Sequence, residues 1–240
     1  AYWSGSLHQH TSFQLDRIFD ISLPPHHFII DCISKFARLL ERTHIVSDEE
    51  TEWSVFYNGY WLDKKYWKDV DLRELFRFRK PTLSVEAEEY LNRIKSSNAV
   101  SVHIRRGDYL SKDNLNKFGI FCTEHYYQLA IERITQEQPD TYFFVFSDDI
   151  PWVQKNMCIP NAHFVDCHHG DDSWKDLFLM SCCKHNIIAN STFSFWAAML
   201  NPNPNKIVFY PQRWFYWETP DIFPDSWISI NTEEVERKYL

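Results

Sequence analysis

The sequence has 240 residues, enough for one large domain or two small ones with a substantial buried core. Hydrophobic residues make up 44% and charged residues 24%, the balance of an ordinary globular protein. A net charge of -8 argues against nucleic acid or an anionic membrane as partner, and no run of about eighteen apolar residues is present to span a bilayer.

In chain order, the opening Ala1-Tyr2-Trp3-Ser4 has neither the basic region nor the apolar run of a signal peptide, and without Met it reads as a trimmed or incomplete start. Pro24-Pro25 opens a predicted helix with Phe28, Ile29, Cys32, Ile33, Phe36, Leu39 and Leu40 at helical spacing. Trp53 to Phe56 reads as a short strand before a turn at Asn58-Gly59, and Leu72 to Phe76 as a helix that Pro81 ends. Glu86 to Lys95 follows as an amphipathic helix. From residue 99 the texture changes to alternation. Strands are expected at 99–104, 142–146, 163–165, 186–189, 206–210 and 227–230, and helices at 123–136, after Pro151, at 173–183 and at 193–200. A polar loop is expected between the first strand and its helix. Apolar strands separated by helices point to an α/β fold with a parallel sheet covered on both faces. The expected division is 1–95 and 96–240. Ligands of such sheets bind beyond the carboxyl ends of the strands, so the residues following each strand are the ones to read for function.

Three segments stand there. His103-Ile104-Arg105-Arg106-Gly107-Asp108-Tyr109 offers two planar guanidinium forks suited to a diphosphate, a glycine for close approach, and Asp108 to orient a fork. The same residues also suit a turn whose arginines pair with surface carboxylates. Asn190-Ser191-Thr192-Phe193-Ser194 lies between a strand and a helix, where free N–H groups favour an anion, although simple capping by Ser191 or Thr192 fits equally. Asp148-Asp149 ends the most apolar strand. Asp176, on the helix before the Ser/Thr loop, is either an acceptor for the paired N–H donors of guanine or a solvated helix residue.

His168-His169-Gly170-Asp171-Asp172 reads as a loop and not a metal site, because neighbours in sequence rarely ligate one ion together. The six cysteines form no C-x-x-C pair; Cys182 and Cys183 read as small buried hydrophobes, and the set leans to a reducing compartment. Ten tryptophans and an aromatic share of 17% suit either a Trp-rich core or sugar-binding faces, the core being the commoner use.

Taken together, HIRRGDY after a strand, FVFSDD some forty residues on, and the run from Asp176 to Leu200 resemble the α-1,2-fucosyltransferases, glycosyltransferase family 11. Asn58 to Asp63 with Tyr66-Trp67, and Pro211-Gln212-Arg213-Trp214, resemble two further segments of that family, with Leu62 where the family usually has Gln. The resemblance runs from about residue 13 to 230. It implies a GT-B-like arrangement, with a C-terminal Rossmann-type parallel sheet and a smaller, partly helical and incomplete N-terminal domain. It implies an enzyme, a fucosyltransferase that moves L-fucose from GDP-β-L-fucose to the 2-hydroxyl of a galactoside with inversion. GDP-fucose and a galactose-terminated glycan are then the partners, with no metal and no other cofactor. By the same resemblance His103 and Asp176 lie near guanine, Arg105 binds the diphosphate and stabilises the leaving group, and Arg106 and Asp108 support that loop. Asn190, Ser191, Thr192 and Ser194 complete the donor site. The family's G-G-L-G-N-Q segment is absent here, so no catalytic base is named and the activity of this chain alone is open. A non-catalytic GDP-sugar or glycan binder, or a transferase for another GDP-sugar or acceptor, are the alternatives. Bacterial members imply a cytoplasmic location; animal members, with a membrane anchor, imply the Golgi lumen.

Overall fold

The computed structural model describes residues 15–22, 62–118 and 121–231, with Ile29, Cys32, 45–46 and 56–57. Of the helix expected after Pro24-Pro25 only Ile29 and Cys32 are described, both helical, and the turn at Asn58-Gly59 lies outside the described residues. The chain divides into two compact units, 1–79 and 80–240.

Within the first unit, α1 (Leu15–Ile18) leads to Phe19, whose ring packs on Phe76 and Phe78 at 5.4 and 4.9 Å. β1 (Ile45–Val46) and β2 (Phe56–Tyr57) form a two-stranded parallel sheet, the second meeting the expected strand only at Phe56. α2 (Leu72–Leu75) starts where Asp71 accepts from the amides of Arg73 and Glu74, leaving few orphan donors at its first turn.

The second unit opens with α3 (Val85–Ser96), capped by Ser84. It buries Leu91 and Ile94 against the sheet, so the helix that the sequence texture assigned to the first region belongs with the second. Then come β3 (Asn98–Ile104), α4 (Lys112–Phe118), α5 (Glu124–Glu137), β4 (Thr141–Ser147), α6 (Ile150–Asn156) and β5 (Ala162–Val165). α7 (Trp174–Ser181), β6 (His185–Ile187), α8 (Thr192–Leu200), β7 (Val208–Pro211) and β8 (Ile228–Ile230) complete it. Helix α4 replaces part of the expected polar loop; at seven residues with five charged or amide side chains it carries too little apolar periodicity to be read.

All six strands of this unit run parallel in the order β5-β4-β3-β6-β7-β8. With β3 counted first, that is the doubly wound order of Rossmann-type sheets, in which the chain reverses direction across the sheet between its first and fourth strands. The expected α/β, Rossmann-type fold is what the chain adopts. Alternation along β3 sends Val100, Val102 and Ile104 to one face, against Tyr127, Ala130 and Ile134 of α5 and Val153 of α6. Ala99, Ser101 and His103 face the other way, where α3, α7 and α8 pack with Phe144 and Phe146. Contrary to the expectation of strands bare of polar groups, Ser101, His103, His185 and Asn186 are buried in them.

Part of the aromatic excess is core, although Trp217 is exposed. Trp214, Phe223 and Trp227, from the β7–β8 connection, pack edge-on or tilted around Phe195 of α8. Among the described residues, no helix is long and apolar enough to cross a membrane.

Candidate nucleotide-sugar site

The switch point between β3 and β6 is where the two loops singled out in the sequence come together. Residues 105–109 leave the end of β3, and residues 188–191 leave the end of β6. Three tyrosines hold this edge. Tyr127 donates to the His103 carbonyl at 2.9 Å and Tyr126 to the Ile188 carbonyl at 2.6 Å, both from α5 beneath the sheet. Tyr109 donates to the Asn190 carbonyl at 2.9 Å, joining one loop directly to the other. Burial pushes the Tyr109 hydroxyl up to about 12, so it stays a neutral donor.

Arg105 is held between two carboxylates, Asp108 at 2.6 Å and Asp148 at 3.0 Å, and is about 30% exposed. Asp148 also accepts from the Arg106 amide at 2.9 Å. A Cβ on Gly107 would stand 2.5 Å from Asp148 Oδ2, so only glycine lets that carboxylate lie under the loop. The Arg106 side chain turns away, paired with Asp149 at 3.3 Å and stacked 3.2 Å from the centre of the Trp152 ring. Each guanidinium has carboxylate partners, as expected of a turn whose arginines pair with nearby acids, and Arg105 remains partly exposed. Two guanidinium groups here meet three carboxylates, so the loop is not a free cationic patch. Any diphosphate must be held by directed N–H donors and not by bulk potential.

At the start of α8, Ser191 occupies the N-cap position without a side-chain capping bond, and its hydroxyl lies beside that of Tyr109. Thr192 is exposed at the first helical position. The first-turn amides have no intrahelical acceptors, which makes this edge receptive to an anion. Ser194 points inward instead, its hydroxyl 3.3 Å from the Ser191 carbonyl. Asn190 ties loops together, its amide donating to the carbonyls of Phe118 and Trp214, each at 3.0 Å.

His103 lies on the α7–α8 face of β3 with its ring 5.6 Å from that of Phe193. Burial, reinforced by Arg105, lowers its pKa to about 3, so it is neutral, and its Nδ1 has no hydrogen-bond partner. Asp176 stands in the first turn of α7 on the same side of the sheet and accepts from His168 Nδ1 at 2.6 Å. Burial raises its pKa, while the His168 hydrogen bond acts against that rise. On the opposite side, a cavity of about 320 Å³ is bordered by Arg105, Arg106, Tyr109, Tyr127, Trp152 and Asn190. That volume is at the small end for ligand pockets.

Sequence reasoning missed Asp148 as the partner of Arg105, and also Tyr109, Trp152 and His168. Asp148 and Tyr109 were flagged as part of motifs, but their pairing partners lie 43 and 81 residues away along the chain. No local signal reports such distances. Asp149, also flagged, serves Arg106 and caps α6 through the Trp152 amide at 3.3 Å.

Comparison with known proteins bears on what this edge serves. The model of the family described as glycosyl transferase family 11 matches residues 27–231. An alpha-1,2-colitosyltransferase of Escherichia coli is 34% identical over 85% of this chain and 74% of its own length. The O-antigen biosynthesis glycosyltransferase WbnK of Escherichia coli is 36% identical over 72% of this chain and 61% of its own length. A galactoside alpha-(1,2)-fucosyltransferase 1 of Saimiri boliviensis boliviensis is 29% identical over 49% of this chain and 35% of its own length. With its Rossmann-ordered sheet and with most of its length inside the matched span, the chain belongs to glycosyl transferase family 11, whose curated members here are glycosyltransferases.

Proposed function

We propose that residues 80–240 bind GDP-fucose for an inverting transfer of L-fucose to the 2-hydroxyl of a galactoside. The observation that carries this reading is the meeting of the 103–109 loop and the 190–192 helix start at the switch point, joined by the Tyr109–Asn190 bond. Arg105, oriented by Asp108 and Asp148, supplies directed donors to the diphosphate, and Ser191 and Thr192 face the same edge. As the sugar–phosphate bond breaks, charge grows on GDP, and preoriented donors stabilise it more than they stabilise the bound substrate. Neutral His103, with its unpartnered Nδ1, and Asp176 on the same side of the sheet provide one donor-or-acceptor and one carboxylate for guanine. Arg106 and Asp108 act as supports for the loop. Asn190 and Ser194 contribute by fixing its partner loop. The test is transfer of labelled fucose from GDP-fucose to lactose by the full protein; failure with fucose and success with another GDP-sugar would replace the donor. That second reading has one specific observation behind it, the colitosyltransferase name of the relative matched over 85% of the chain.

Two expected results sharpen the assignment. Asp176→Asn should weaken GDP at least tenfold while leaving ADP and UDP binding unchanged, because only guanine presents paired donors to a carboxylate. Equal loss for all three nucleotides in calorimetry would make Asp176 structural. GDP affinity should also be the same in excess EDTA as in magnesium or manganese. A loss above about tenfold in EDTA, roughly 1.4 kcal/mol, would mean an ion bridges the phosphates and that Arg105 is secondary.

A further inference from the structure

Beyond its neighbours at 169–172, His168 is met in the fold by a different set of ligands. Asp176 arrives from the first turn of α7, and Cys167 precedes His168 in the segment leaving β5. One ligand atom from each of Cys167, His168 and Asp176 lies within 4.8 Å of the other two. The Cys167 Sγ is 3.6 Å from His168 Nδ1, and that nitrogen is 2.6 Å from Asp176 Oδ1. Around tetrahedral zinc, with bonds of about 2.0 to 2.3 Å, sulfur and nitrogen ligands stand roughly 3.5 Å apart and nitrogen and oxygen roughly 3.3 Å. The sulfur also stands 3.9 Å from His168 Nε2, so it lies against the ring and the Cys167 side chain must turn toward the Nδ1 side to share an ion. The carboxylate needs to withdraw by roughly 0.7 Å, and the protons on His168 Nδ1 and the Cys167 thiol leave to solvent as the ion enters. The His168 side chain is only 3% exposed, which fixes its ring, whereas Asp176 is 17% exposed and leaves a way in.

We propose that Cys167, His168 and Asp176 bind a soft divalent cation, zinc by its thiolate, imidazole and carboxylate ligands, with water in the fourth position. Such an ion takes the Asp176 carboxylate out of use. Resting on the reading of Asp176 as the guanine acceptor, zinc is then an inhibitor that competes with the nucleotide, not a cofactor. This is compatible with GDP binding in EDTA. Zinc and cobalt share this ligand chemistry, and cobalt reports its ligands by colour.

The experiment titrates the full protein, free of nucleotide, with cobalt under reducing and anaerobic conditions. One equivalent should give a sulfur-to-cobalt charge-transfer band that zinc abolishes. The band should vanish in Cys167→Ser, a variant whose folding is checked by its melting curve, and persist when the exposed Cys32 and Cys158 are each replaced by Ser. Calorimetry should then show zinc weakening GDP at least tenfold in the parent protein and not in Cys167→Ser. Absence of the band, or its survival in Cys167→Ser, overturns the ion site. A Cys167-dependent band with unchanged GDP affinity upholds the ion site and overturns the inhibition, together with the guanine role of Asp176. If no GDP binds even in EDTA while the band forms, the donor reading fails and the ion site stands.

Discussion

Replacing Arg105 with lysine is expected to lower GDP affinity tenfold to a hundredfold, on the order of 1.5–3 kcal/mol for a charge-assisted pair. The charge survives the substitution, but the geometry does not. The guanidinium spans Asp108 and Asp148 with two different nitrogens and is about 30% exposed. An ammonium is a point charge that two carboxylates already saturate, and it has no rigid fork left to aim at a diphosphate. Arg106→Lys should cost much less nucleotide affinity, since its fork serves Asp149 and the Trp152 ring. Calorimetry on both variants decides the point. Unchanged GDP binding by Arg105→Lys would remove this residue from the donor site, and equal losses would make the whole loop merely structural.

The second large effect is on stability. Asn186→Ala should destabilise the protein by about 3–4 kcal/mol, because it strips partners from several buried polar groups at once. The Asn186 amide donates to Ser101 Oγ at 2.6 Å and to the Met180 carbonyl at 3.0 Å, and its oxygen accepts from Asn201 at 2.8 Å. Asn201 in turn donates to the Cys183 carbonyl at 2.8 Å. This network pins α7, β6 and the end of α8 to β3, and Asn186 is 1% exposed, so water cannot easily replace it. For a chain of this size the melting temperature should fall by roughly 10 °C. A fall of only a degree or two would show that water enters and satisfies the orphaned groups.

How far the site was legible follows from which contacts are local. The 103–109 and 190–194 segments were found because each follows a strand, and a parallel sheet puts every such loop at one edge. Strand edges shifted by a residue or two, as with β6, which ends at Ile187 where the sequence suggested Ala189. There Ile188 still bonds to the Phe209 carbonyl, but the residues beyond leave the ladder for the loop. Ser194 looks in sequence like its neighbours Ser191 and Thr192. Helical geometry turns it into the core while they stay at the helix start. The alternation of apolar and polar residues could not foretell the buried Asn186 and Ser101, because their hydrogen-bond partners come from other elements of the fold.

By itself the sequence determined the α/β class, the order of strands and helices beyond residue 98 apart from α4, and the family. Those rest on short-range periodicity, on proline and other breaker positions, and on motif spacing, all of which are carried along the chain. Only the tertiary structure decided which strands are neighbours, and hence that the first and fourth strands of the sheet flank one crevice. It also decided that Asp148 orients Arg105, that Arg106 stacks on Trp152, and that Cys167, His168 and Asp176 share one spot. Side-chain charge and burial depend on which distant residues fold against a group. That information exists only once the chain has closed on itself.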